Sequence, residues 1–505
     1  MNSRILRSIG FAVVLFIGLP YSGAGAPRNS GVPYSISLKE FSIDGFPGLH
    51  SFAFAGTAGQ LVLIGGRTNG LHGFPTNRTT ASSPSFPTSA QNDTIYVLDL
   101  PHAKLLGQAK VNQLPQRAAA QLRATNTQYC VRQGWLYILG GYGVDPVNPK
   151  AIQTLPYVTA VNLQALTNAV IAGTPLDATF ATANIATSAD DPNLAITGGD
   201  MQLLGSSFLV VFGHRLDGLY TNGGGAMQQE YTSSVRLFDM QLTQDSLNHP
   251  QLAVTFQGAV PPGPLDPSNP YHRRDLTVTG AVDGSGKERI VAYGGVFQAG
   301  SFDGFLNPVY IDPDTASPGI KLTVDTNASQ LLSQYRCAAI PFYSTKSKSV
   351  YTTFFGGISQ YYWSGGKLKH DTLNLNITPP IDGLPFINSI STLQTDFSPN
   401  PSKPVTFDYL HVGAAFPPAT AQPKCGTTAA PYLGAESRFV EASSVPSFDN
   451  GVLKLDETHA GVIGYVIGGI AATNPYPEAT CASNLMYAVT LNPSKATKTV
   501  RLTKP

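Results

Sequence analysis

Six short runs of aliphatic, β-branched and aromatic residues punctuate the chain, and each ends in glycine. They are Leu61-Val-Leu-Ile-Gly-Gly66, Leu136-Tyr-Ile-Leu-Gly-Gly141, Phe208-Leu-Val-Val-Phe-Gly213, Ile290-Val-Ala-Tyr-Gly-Gly295, Tyr351-Thr-Thr-Phe-Phe-Gly-Gly357 and Tyr465-Val-Ile-Gly-Gly469. A run that is apolar at consecutive positions reads as a strand covered on both faces. Glycine at its end permits positive φ and close approach of backbone. In the third run His214 follows a single glycine and stands where a second is expected.

A polar loop follows each run, and then a second strand whose apolar and polar positions alternate more clearly. Examples are Thr94-Ile-Tyr-Val-Leu-Asp-Leu100, Ser234-Val-Arg-Leu-Phe-Asp-Met240 and Asn484-Leu-Met-Tyr-Ala-Val-Thr-Leu491. Several of these strands close on Asp or Asn, which can form an Asx-turn. One such unit cannot bury both of its faces; stacking units about an axis buries them and shields the sheet edges.

The apolar-run, Gly-Gly, loop and strand order resembles the Kelch repeat and covers essentially the whole chain after the first 26 residues. The resemblance implies an all-β fold, a six-bladed Kelch-type β-propeller related to the galactose-oxidase-like propellers. Kelch units also carry a tryptophan after the third strand. Trp135 and Trp363 do not sit there, so the kinship is to a divergent group. Successive first glycines are 75, 73, 81, 62 and 112 residues apart, against about 50 for a Kelch unit, so the surplus belongs to loops. The longest interval leaves room for a seventh blade, the alternative to six. Residues 394–450 within it are proline-rich and lack the glycine-ended run, so a long loop insertion is expected there.

The ends of the chain set the domain plan. Arg4 and Arg7, the apolar stretch from Ile9 to Leu19 and the small residues Ala24-Gly25-Ala26 have the layout of a signal peptide over 1–26. A single propeller domain over 27–505 is then expected to be secreted or periplasmic, with no transmembrane segment in the mature chain. Tyr34-Ser-Ile-Ser-Leu-Lys-Glu-Phe41 reads as a strand without a repeat of its own, placed to complete the last blade and close the ring. Export permits disulfides. Of the three pairings open to four cysteines, Cys425–Cys481 is favoured because both fall in loop-like parts of the last repeat. Cys130 and Cys337 fall in strands of different repeats and are expected as thiols.

Composition removes several classes of function. Charged residues make up 12% of the chain and the net charge is +1, so neither nucleic acid nor an anionic membrane is expected as a partner. There is no P-loop, no G-x-S-x-G elbow and no H-E-x-x-H, and no cofactor or metal is implied. The copper site of the galactose-oxidase group needs two histidines, two tyrosines and a Tyr–Cys crosslink, and no motif places them. Asp283-Gly-Ser-Gly-Lys-Glu288 is read as a hairpin turn before a calcium loop.

Candidate chemistry follows from the repeat. Propellers bind ligands at the mouth of the central channel, where the first strand of each blade begins. Counting back from the glycines places His50, Arg123, Arg274, Arg336 and Arg438 near these entries. One reading is a cationic ring for carboxylates, which Arg suits through its planar fork; the other is pairing of these arginines with neighbouring acids such as Asp275 or Glu436. Loop residues His214, Arg215 and Asp217 form a second candidate set. Two functions follow. The first is a binding or interaction scaffold for glycan, peptide or protein, with acidic glycans or peptides favoured. The alternative is an enzyme on an acidic carbohydrate (a mutarotase, epimerase or lyase), in which His50, His214 or His272 would move a proton.

Overall fold

A computed structural model of the chain describes residues 29–71, 86–220, 227–263, 265–301, 303–316, 319–371, 384–397, 407–419, 431–477 and 480–502. The expected leader and Cys425 lie outside these residues. Cys130 and Cys337 are free thiols, and burial pushes each up to about 12.

Each apolar run forms the second strand of an antiparallel sheet. In the first sheet Ala53–Thr57, Gln60–Ile64, Thr94–Asp99 and Lys104–Lys110 pair in sequence order. Five further sheets repeat the plan, with first strands Gln128–Arg132, Asp200–Leu204, Thr277–Val282, Ala339–Ser344 and Arg438–Glu441. The runs are sandwiched as their composition requires. Val62 and Ile64 pack with Leu136 and Ile138 of the second sheet. Leu61 and Leu63, on the opposite face of the strand, pack with Tyr465 and Ile467 of the sixth. Equivalent clusters fill the four remaining gaps between consecutive sheets. This nearly all-β arrangement of four-stranded sheets is compatible with a β-propeller.

The glycine turns stitch neighbouring sheets together. The N–H groups of Gly66, Gly141, Gly213, Gly295 and Gly357 donate to the carbonyls of Ala124, Ile196, Arg273, Gln334 and Leu433, each at the entry to the next sheet, over 2.7–3.0 Å. The sixth link runs from Gly469 N–H to Leu49 O (2.9 Å) and returns to the first sheet. Gly213 therefore occupies the second glycine position, not the first as the sequence pattern implied. Phe212 takes the first position in a left-handed conformation (φ 54°). That conformation costs about 1–2 kcal/mol. Phe212 is fully buried and stacks on Tyr271 (5.8 Å), and burial of its ring offsets the cost.

The N-terminal strand behaves as anticipated. Ser35–Phe41 pairs with Met486–Asn492 as the fourth strand of the sixth sheet. The preceding Asn29–Val32 pairs with Thr497–Leu502, which extends the fifth sheet. The proline-rich interval is not all loop, since Phe407–Ala415 is the fourth strand of the fifth sheet, between Phe386–Asp396 and Thr497–Leu502, and Arg438–Glu441 opens the sixth. Helix Leu163–Ala172 was not anticipated. Asn162 caps it, and Leu166, Ala169 and Val170 turn one face into the core between the first two sheets. Asp283 closes a hairpin turn, accepting from Ser285 N–H and Lys287 N–H. Asn92, which begins the N-x-T triplet Asn92-Asp93-Thr94, is buried and donates to Gly65 O and Thr94 O.

A further four-stranded sheet overlies this scaffold. It is built from loops of the second and third repeats: Tyr142–Val144, Ile152–Thr154, His214–Asp217 and Gln228–Tyr231. Nothing in the repeat pattern foretells it, because its strands are short and pair across repeats.

Candidate functional site

One residue in each sheet entry forms an inner ring: Ser51, Asn126, Gly198, Asp275, Arg336 and Glu436. Backbone hydrogen bonds run along it, from Asn126 N–H to Ser51 O (2.9 Å), Asp275 N–H to Gly198 O (2.6 Å), Arg336 N–H to Asp275 O (2.8 Å) and Glu436 N–H to Arg336 O (2.8 Å). Ser51, Asn126, Asp275 and Glu436 all take φ between 51° and 58°. Four left-handed non-glycine residues at equivalent positions are backbone strain concentrated at one place, and such strain clusters at functional sites.

Above the ring lies a cavity that opens to solvent and leaves about 70 Å³ for the centres of water-sized spheres. Its floor is polar: His50, Ser51, Asn126, Arg274, Asp275 and Glu436. Its walls are largely aromatic, from Phe86, Tyr142, Tyr220, Phe297 and Tyr335. Phe86 meets Tyr220 edge-on (5.3 Å) and lies under the Arg67 guanidinium (4.9 Å). Tyr142 Oη donates to Gly218 O (2.7 Å), which fixes that wall.

The sequence candidates separate into levels. His50, His214 and Arg274 line this cavity. Arg123 does not; its Nε donates to Ala119 O (3.2 Å). Arg336 is 1% exposed and is spent on the scaffold, donating to Leu276 O (3.0 Å), Asn126 Oδ1 (3.2 Å) and Gly199 O, with Asp200 3.6 Å away. Arg438 lines a different cavity, with Tyr129, Asp200 and Thr277 of the first strands. His214-Arg215-Leu216-Asp217 is a strand, so its side chains alternate. His214 and Leu216 line the cavity, while Arg215 is exposed and pairs with Asp217 (2.7 Å). His272 lies behind the wall, stacked on Tyr231 (3.8 Å).

Charges on the floor are matched. Arg274 pairs with Asp275, donates from Nε to Tyr231 Oη (3.1 Å) and lies over the Phe297 ring (5.1 Å). Asn126 Nδ2 donates to Asp275 Oδ1 (2.8 Å). Burial pushes the Asp275 carboxyl up, but Arg274, His214 and Arg336 outweigh it and hold the group below the usual carboxylate range. Glu436 goes the other way: burial raises its pKa more than Arg336 and Arg438 lower it. Two nearby carboxyls are thus driven apart. Burial, and then Arg67 for His50 and Arg274 for His214, lowers both imidazoles to about 3. Both are neutral at physiological pH.

Sequence reasoning weighed Asp275 and Glu436 only as partners for arginine, and passed over Asn126, Thr125, Phe86 and Tyr335. The available signal was position. Each ring residue lies two or three residues before a first strand, whereas counting back from the glycine runs through a hairpin of variable length.

No family model matches the chain, and no curated protein matches it. Among solved structures, one titled "Structure of YjhT" aligns over 73% of this chain and 96% of its own, at 11% identity and a TM-score of 0.35. So distant a likeness decides neither the fold nor the function of this chain.

Proposed function

We propose that the chain is an exported, six-bladed Kelch-type β-propeller that binds a small carbohydrate-class ligand in the cavity above its inner ring. The cavity itself carries the reading, with aromatic walls over a polar floor at the point where entries from different sheets meet. Aromatic faces cover the apolar face of a sugar ring, and a few convergent polar groups orient it. Export rests on the leader-like residues 1–26, and the blade number on the six glycine-ended runs with their cyclic links. The ligand is held by hydrogen bonding and stacking rather than by a cationic ring. Of the arginines expected at the entries only Arg274 lines this cavity, and Asp275 matches its charge.

A glycan array followed by calorimetry on the hits tests this. Saturable binding to a mono- or oligosaccharide is expected, and Phe297→Ala should weaken it about two- to tenfold, the worth of one aromatic contact. Absence of binding to any carbohydrate, or binding that Phe297→Ala leaves unchanged, overturns the assignment. The oppositely shifted carboxyls of Asp275 and Glu436 favour a second reading, acid–base catalysis on the bound sugar. Reducing-end NMR of the ligand with and without protein distinguishes the two: altered anomer exchange or a new product means an enzyme, and unchanged spectra mean a binding protein.

A further inference from the structure

The floor of the cavity holds polar atoms that the fold leaves unpaired. Glu436 is 1% exposed, and neither of its carboxyl oxygens makes a well-formed hydrogen bond among the described residues; the neighbouring Ser51 hydroxyl is close enough only to lower its pKa slightly against burial. Thr125 is 4% exposed, and its hydroxyl is likewise unpartnered. Both residues line the axial cavity. A buried carboxyl or hydroxyl without a partner is costly, and native proteins keep few of them. Together with His50 Nε2, which is also unpartnered among the described residues, they mark the place on the floor of one cavity where a ligand, or the water it displaces, completes the hydrogen bonding.

The available cations decide what kind of ligand fits. Arg274 is engaged by Asp275, Tyr231 and the Phe297 ring. Arg336 lies at the ring with its donors on Leu276 O, Asn126 and Gly199 O. Arg67 stands over Phe86 but outside the cavity lining, with Nε on Asn69 Oδ1 (3.0 Å) and one Nη on Pro87 O (2.7 Å), its other Nη being unpaired among the described residues; His50 and His214 contribute no positive charge. A ligand carboxylate entering here would meet two carboxyl groups and would have to compete with Asp275 for Arg274. A hydroxyl group meets unfilled acceptors instead.

We propose that this cavity selects an uncharged, hydroxyl-rich ring, with Glu436 and Thr125 receiving ligand hydroxyl groups and the Arg274–Asp275 pair orienting its edge. This rests on the ligand-binding reading above and names the ligand chemistry within it. It departs from the acidic ligand that arginine positions in the sequence favoured. The same sugar ring exists in neutral, carboxylate and ammonium forms, so selectivity among them is a direct readout.

The test is calorimetric titration of the full chain with three matched probes: galactose, galacturonate and galactosamine, repeated with the glucose series. The neutral sugar should bind at least about tenfold more tightly than its uronate, the worth of one unmatched buried charge-assisted contact. Glu436→Gln removes the carboxyl at constant volume and should narrow the neutral-to-uronate ratio, a readout that a purely structural glutamate would not move. Thr125→Val should weaken neutral-sugar binding about fivefold at an unchanged unfolding midpoint, because the lost hydroxyl bonds to nothing among the described residues. If Glu436→Gln does not fold, Thr125→Val carries the test alone.

A uronate that binds more tightly than the neutral sugar overturns this inference and leaves the binding site standing. An amino sugar that binds tightest also overturns it, since the carboxyls would then be reading a cation. A ratio unchanged in Glu436→Gln removes the role given to that residue. No binding by any of the probes or array glycans overturns both this inference and the reading beneath it.

Discussion

His50 and His214 show how burial converts a titratable residue into a neutral hydrogen-bonding group. His50 Nδ1 lies 2.9 Å from Ser51 Oγ, and His214 Nδ1 lies 2.7 Å from Gln229 Nε2. With folded pKa values near 3 and ordinary values near 6.5, the unfolded chain takes up two protons that the folded chain refuses. Each histidine therefore contributes stability that is full above pH 6.5 and is lost as the pH falls toward 3, by about 1.4 kcal/mol per pH unit. Asp200 and Glu436 are raised above the usual carboxylate range and act in the opposite sense as pH rises above about 4. The expected result is thus comparative. His214→Gln should gain relative stability over wild type between pH 6.5 and pH 5, as read by denaturant midpoints; parallel curves would mean His214 titrates normally in the fold. Arg336 teaches the converse. Its charge sits among carbonyls, Asn126 and Asp200, so Arg336→Ala should cost about 3–5 kcal/mol in urea unfolding. A variant of near-wild-type stability with weakened ligand binding would instead restore it to the binding site.

At the scale of elements, strands carry most of the message and loops carry the site. The glycine-ended runs were legible because a strand covered on both faces needs consecutive apolar residues, and its exit needs left-handed backbone. The N-terminal strand was legible because a repeat pattern one strand short at its end needs a donor. Residues Ser35–Phe41 supply the outer strand of the sixth sheet, in register from Ser35–Asn492 to Phe41–Met486. Deleting residues 29–41 should therefore lower the melting temperature sharply or abolish folding; a truncated chain that melts like the intact one would show that the strand only decorates the sheet. The overlying sheet was not legible. Its segment His214–Asp217 pairs with Gln228–Tyr231 and is in register with Ile152–Thr154 at Gln153–Asp217 alone, with the Thr154 hydroxyl bonding the Leu216 backbone beside it. Strands this short have no periodicity long enough to read, and their pairing joins loops of two repeats.

Across the whole molecule, the backbone links from each glycine turn to the next sheet and the hydrophobic clusters between sheets follow one cyclic order. That order brings His50, Thr125, Arg274, Tyr335 and Glu436, spread over 387 positions of sequence, to a single cavity. It also sorts the arginines. Arg274 lines the cavity, Arg336 lies at the ring, Arg438 lines a second cavity, and Arg123 bonds within its own helix–loop segment. The sequence by itself determined the all-β character, the six sandwiched strands, their glycine turns and the strand that completes the last sheet, because these depend on side-chain polarity and φ preference within a few residues. Only the tertiary structure decided which side chains meet at one cavity, that Asp275 matches Arg274, and that the Glu436 carboxyl and Thr125 hydroxyl make no well-formed hydrogen bond among the described residues. Those outcomes depend on hairpin lengths and on hydrogen bonds between sheets far apart in the chain, and no local pattern records them.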